Sequence, residues 1–153
     1  MSKKFIFMTL FLALALAVSA SPATAKAPLD VYIISDKDIG GIGDFVATGP
    51  AVDAGLVCPS GTEVDPEVIV RNTAGGRFTI LKILKSFTCE DGSGTFDVRM
   101  TVKLFPDGTT TANWKVVAGT GNYTALRGHG TLVGTPPPNT TGEIIDEYFG
   151  KMK

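Results

Sequence analysis

Phe96, Val98, Met100, Val102 and Leu104 alternate with Asp97, Arg99, Thr101 and Lys103. A period of two is the pattern of a β-strand with one face buried and the other wet or paired. Pro106-Asp107-Gly108 follows, a tight turn in which Pro presets φ and Gly accepts a positive φ. The return run, Thr109 to Val117, carries Ala112, Trp114 and Val116 on one face, so the two form a hairpin. Upstream, Glu90-Asp91-Gly92-Ser93-Gly94 is a similar turn that joins the long β run Arg77–Cys89 to this pair, making a meander. Val31–Ser35 and Asp44–Thr48 read as earlier strands, with Glu67–Arg71 a weaker one. Gly119 to Gly130 reverses the chain, Gly130–Thr135 is a short strand, Pro136-Pro137-Pro138-Asn139 a stiff loop, and Glu143–Phe149 the last strand. About eight strands with short connections suit an all-β antiparallel barrel or a sandwich, and closure removes the edges that such a chain must otherwise protect. No stretch holds a 3.6-residue apolar period for three turns.

The N-terminus has a different pattern. Lys3 and Lys4 precede an apolar run from Phe5 to Val18 broken only by Thr9. That run is shorter than the roughly 20 residues a bilayer span needs, and Pro22 and the small residues Ala23-Thr24-Ala25 follow it. Residues 1–25 therefore read as a cleavable signal peptide, with Val18-Ser19-Ala20 a second acceptable cleavage site. The expected organisation is 26–42 as an N-terminal leader and first strand, 43–150 as the barrel, and 151–153 as a tail. The protein is expected to be secreted or periplasmic, with no membrane span after cleavage.

The leader holds two of the 14 basic residues and none of the 15 acidic ones, so the remainder carries a net charge of −3. Such a balance argues against nucleic-acid binding, which needs a concentrated basic face. Cys58 and Cys89 are the only cysteines, and in an oxidising compartment they most economically form one disulfide. No metal site is expected: His129 is the only histidine, and Asp36, Asp38 and Asp44 lack the spacing of a calcium loop. There is no Gly-x-Ser-x-Gly elbow, and no helix follows Gly40-Gly41-Ile42-Gly43 to bind a phosphate, so no cofactor is expected. What remains are charges on apolar strand faces. Lys85 shares a side with Leu81, Ile83 and Phe87, and Glu147 lies between Ile145 and Phe149. Inside a barrel lumen either would have a shifted pKa and could serve acid–base chemistry; at a mouth or subunit interface each would reach water. Apolar residues on both faces of Phe78–Phe87 suggest an outer cover, such as another subunit.

The segment from Trp114 through Gly119-Thr120-Gly121-Asn122-Tyr123 and Arg127-Gly128 to Leu132 resembles the signature of allene oxide cyclase-like barrels, which are related to dirigent proteins. The stretches Ala47–Thr62 and Phe87–Phe96 are similar to those of small exported bacterial members of that superfamily. The resemblance spans roughly residues 43 to 150. It implies a calycin-type, eight-stranded antiparallel β-barrel, often trimeric among the relatives, with an apolar lumen open at one end. In it Gly119 and Gly121 would permit the reversal, Gly128 would start the next strand, and Tyr123 would plug the barrel end. Two functions then stand side by side: binding a small apolar or amphipathic molecule or a protein partner, and a cyclase or isomerase acting by confinement. Both expect a ligand cavity lined from Phe87, Val98, Met100, Trp114 and Val116. The enzyme reading adds Lys85 and Glu147 as catalytic candidates.

Overall fold

The computed structural model describes residues 27–38, 41–72 and 75–153; the expected leader, residues 1–25, lies outside the described residues. Eight strands form one closed antiparallel barrel in sequence order: β1 (Leu29–Asp38), β2 (Ile42–Thr48), β3 (Ser60–Asn72), β4 (Thr79–Cys89), β5 (Thr95–Leu104), β6 (Thr110–Gly119), β7 (Gly128–Thr135) and β8 (Glu143–Met152). Closure comes from β8 pairing back on β1 over ten residues, Leu29 opposite Met152 through Asp38 opposite Glu143. The first strand is thus a stave of the barrel. Lys151 and Met152, read from sequence as a tail, belong to β8, and Met152 is buried.

An antiparallel meander sends alternate connections to opposite ends. One end is sealed. It receives the β2–β3 connection with its one-turn helix α1 (Pro50–Asp53), the Cys58–Cys89 disulfide, and the β6–β7 reversal with its 3₁₀ turn Gly121–Tyr123. Beneath these, Phe45, Phe87, Phe96 and Tyr148 fill the lumen; Phe87 and Phe96 stack at 4.7 Å, and Phe45 meets Phe87 edge-on at 5.2 Å. Tyr123 is buried, packs edge-on against Phe96 and shares a hydrogen bond with Ser93. Gly121 adopts a φ of +56°, which favours glycine, and a side chain at Gly119 would strike the Tyr123 carbonyl. Across the lumen wall, Gly130 and Gly150 face each other on β7 and β8 and leave a groove for the Trp114 indole, whose Nε1–H donates to the Thr131 carbonyl.

Alternation or runs of β-branched and aromatic residues mark seven of the eight strands in the sequence. The exception is β3, where the pattern marks only residues 67–71 and the strand starts at Ser60. Its first half carries Gly61, Glu63 and Asp65, poor strand formers, and Gly61–Val64 are held by ladders on both sides.

Candidate functional site

Inward-facing positions of four strands converge on a layer of charge halfway up the barrel. On β1 the alternation Val31, Ile33, Ser35, Lys37 points inward, and on β8 Ile144, Asp146, Tyr148 does the same. Lys85 comes from β4 and Glu63 from β3. Between Val64 and Glu67 the β3–β4 register shifts, so that Asp65 and Pro66 together oppose Lys85. This bulge leaves the Asp65 carboxylate beside the Lys85 ammonium and reverses the alternation of the rest of β3. Two glycines make room for the layer. A β-carbon at Gly43 would lie 2.4 Å from that of Lys37, and one at Gly134 would lie 2.5 Å from Asp146 Oδ1.

Lys85 is 1% exposed and is the hub. Its Nζ donates to Glu63 Oε1 at 2.6 Å and to Asp146 Oδ2 at 3.3 Å, and sits 3.6 Å from Asp65 Oδ1 and 5.7 Å from the centre of the Tyr148 ring. Lys37 donates to Asp65 Oδ2 and lies 4.0 Å from Glu63 Oε1. Two ammonium groups are thereby shared among three carboxylates, away from water, where such pairing offsets the large cost of desolvation. Burial opposes the Lys85 charge, yet Tyr148 and the carboxylates of Glu63, Asp146 and Asp65 hold its pKa well above the ordinary lysine value. Lys37 goes the other way: burial and the Lys85 charge lower it, despite Asp65 and Glu63. Burial also raises Glu63, against the pull of both lysines, and raises Tyr148 strongly. Among the described residues, Glu63 Oε2, Asp65 Oδ1, Ser35 Oγ and the Tyr148 hydroxyl find no hydrogen-bond partner.

Above this layer the barrel opens. A cavity of about 540 Å³ runs from the charges to the mouth. Leu81, Ile83, Met100, Val102, Leu132 and Ile144 form its wall, Lys37, Asp65, Lys85 and Asp146 its floor, and the Pro136–Pro138 loop with Asp107 and Glu143 its rim. The shape is that of small-molecule sites: concave, mostly apolar, with a few polar groups converging at one point.

Of the residues singled out from sequence, Lys85 stands at the centre of this site. Glu147 does not. It points outward and accepts a 2.6 Å hydrogen bond from Tyr32, whose ring packs on Phe149 at 5.1 Å, so the apolar face Ile145-Glu147-Phe149 belongs to the barrel exterior. The luminal acid of β8 is its neighbour, Asp146. In the expected cavity set, Met100 lines the wall, whereas Phe87, Val98 and Trp114 are packed into the solid core of the sealed end. Val116 is buried there too and borders a separate cleft with Pro28, Arg127 and His129. Phe87 and Trp114 are too large to leave space where the connections close the barrel. Sequence reasoning missed Lys37, Glu63, Asp65 and Asp146. Lys37 extends the apolar alternation of β1 by one step, a signal present in the sequence; Asp65 depends on a bulge, for which Pro66 is the only local sign.

The fold and the site together define an eight-stranded antiparallel barrel with one sealed end, one open apolar mouth and a charged floor between them. In comparisons with known proteins, the chain matches no family model, no curated protein and no solved structure.

Proposed function

We propose that this protein binds a small amphipathic molecule head-down in the barrel mouth, its apolar part against the wall and its polar end on the charged floor. The observation that carries the reading is the cavity itself, apolar-walled and floored by the charged side chains Lys37, Asp65, Lys85 and Asp146. At the floor the two lysines, Lys37 and Lys85, are shared among three acids, Glu63, Asp65 and Asp146, and Asp107 and Glu143 add negative charge at the rim, so the best-matched head is a cationic hydrogen-bond donor such as an alkyl ammonium. Export to an oxidising compartment is part of the reading; its support is the leader pattern of residues 1–25 and the Cys58–Cys89 bond.

The test is a thermal-shift and calorimetric titration with chain-matched octylamine, octanol and octanoate. Octylamine is expected to bind at least tenfold more tightly than octanoate, and Asp65→Asn to reduce that preference. Binding of none of the three sinks the ligand-binding reading; tighter octanoate binding sinks only the head-group assignment. Native mass spectrometry of protein recovered from expressing cells identifies the natural occupant.

One observation favours the second reading, a cyclase or isomerase in the same lumen. Lys37 lies at the cavity floor, hydrogen-bonded to Asp65, and burial and the Lys85 charge lower its pKa from the ordinary lysine value, which makes it the candidate for proton exchange with a bound substrate. Uptake of solvent deuterium into a bound molecule would distinguish catalysis from storage.

A further inference from the structure

Beyond Val64, β3 leaves the barrel wall. Its first half pairs with β2 as far as Ile42 opposite Val64, while residues 67–72 pair with β4 alone, and no described strand covers the other edge. An open edge of this kind presents a row of unpaired backbone groups, which natural proteins ordinarily blunt with charge or proline. Here Pro66 stands at its start, Glu67 and Arg71 flank it, and its centre is apolar: Val68, Ile69 and Val70 are 46, 37 and 58% exposed.

The edge is also self-complementary. Glu67-Val68-Ile69-Val70-Arg71 is antisymmetric in charge about Ile69. Laid antiparallel on a second copy, with a twofold axis through Ile69 perpendicular to the sheet, it sets Glu67 of each chain opposite Arg71 of the other. Val68 then faces Val70 twice, and Ile69 faces itself. Every position is matched, two with opposite charges, which is the arrangement that favours cross-strand pairs. The adjacent registers that keep the same faces together are worse. Centring on Val70 puts Arg71 against Ile69 and leaves Glu67 without its partner; centring on Val68 brings Pro66, which has no N–H to donate, into the ladder.

We propose that residues 67–71 of β3 are a homodimer interface, through which two barrels join into one continuous sheet. The occupant of this edge is a second copy of this chain. Val68 and Val70 stand across from Ile83 and Leu81, which line the cavity, so pairing also extends the apolar wall at each mouth. Dimerisation does not depend on the ligand.

The experiment is sedimentation velocity on disulfide-intact protein from cells expressing the full chain, over roughly 1 to 200 µM, a span wide enough to bracket a micromolar dissociation constant. Wild type is expected to show a monomer–dimer equilibrium. Glu67→Arg and Arg71→Glu should each weaken it at least tenfold, since each sets like charges against one another. An equimolar mixture of the two variants should dimerise again, because the all-basic edge of one meets the all-acidic edge of the other. A protein monomeric throughout, a trimer, or a dimer indifferent to both variants overturns the proposal, and so does a mixture that fails to recover. As a measure independent of variants, hydrogen exchange at residues 67–71 of the wild type should slow as protein concentration rises; exchange unchanged with concentration also overturns it.

Discussion

Glu63 shows how one residue ties the charged layer to stability. It accepts a hydrogen bond from Lys85 at 2.6 Å, while its second oxygen has no hydrogen-bond partner among the described residues. Burial raises its pKa above the ordinary 4.5. The folded protein therefore holds this proton to higher pH than the unfolded chain does, and over that window the group costs stability as pH rises. Gln has no proton to lose. Relative to wild type, Glu63→Gln should accordingly gain stability as pH climbs from about 4.5 towards neutrality, by about 1.4 kcal/mol for each pH unit by which folding delays the ionisation. Urea unfolding followed by the fluorescence of Trp114, the chain's single tryptophan, measures this directly. A flat difference from pH 4 to 8, or one of opposite sign, would mean that Lys85 and Lys37 outweigh burial at this site.

At the level of strands, most of the barrel was legible because alternation is a direct imprint of a one-sided core. The sequence of β5, Phe96 to Leu104, reads as it folds, and Cys58 pairs with Cys89 as expected. Two features were hidden for physical reasons. On β8 both faces carry large apolar residues, because Tyr32 covers the outer one, so choosing between Asp146 and Glu147 required the register with β1 and β7. On β3 the bulge at Asp65-Pro66 changes which face is which partway along, and no periodicity survives it. The glycines of β7 and β8 carry information of another sort. A β-carbon at Gly150 would lie 2.3 Å from Trp114 Cζ2 and 2.4 Å from the His129 carbonyl oxygen. Both must give: relieving the first contact displaces the indole, and relieving the second disturbs the β7–β8 ladder. Gly150→Ala should cost about 1–3 kcal/mol as an overpacked core does, with a red shift in Trp114 emission. Unchanged emission would show that the indole does not occupy this groove.

Over the whole molecule, the two ends of the barrel divide the labour. The sealed end concentrates aromatic rings, the helical turn and the disulfide; the open end holds the cavity and a rim of proline and acid. Cys58 closes the β2–β3 connection onto Cys89 at the end of β4, with Cα atoms 5.9 Å apart and a sequence separation of 31. Its constraint acts chiefly on the unfolded chain, which in the loop-entropy account is worth about 3–4 kcal/mol. In a domain of this size each kcal/mol moves the melting temperature by a few degrees, so Cys58→Ala/Cys89→Ala should lower Tm by about 10–15 °C. Because the bond lies at the end away from the mouth, the variant should still bind octylamine with an affinity close to wild type at temperatures where it is folded. Comparing Tm and octylamine affinity in the two proteins separates these effects. A parallel loss of affinity would mean that the sealed end sets the geometry of the charged floor through Phe87 and Tyr148, the rings that lie between them.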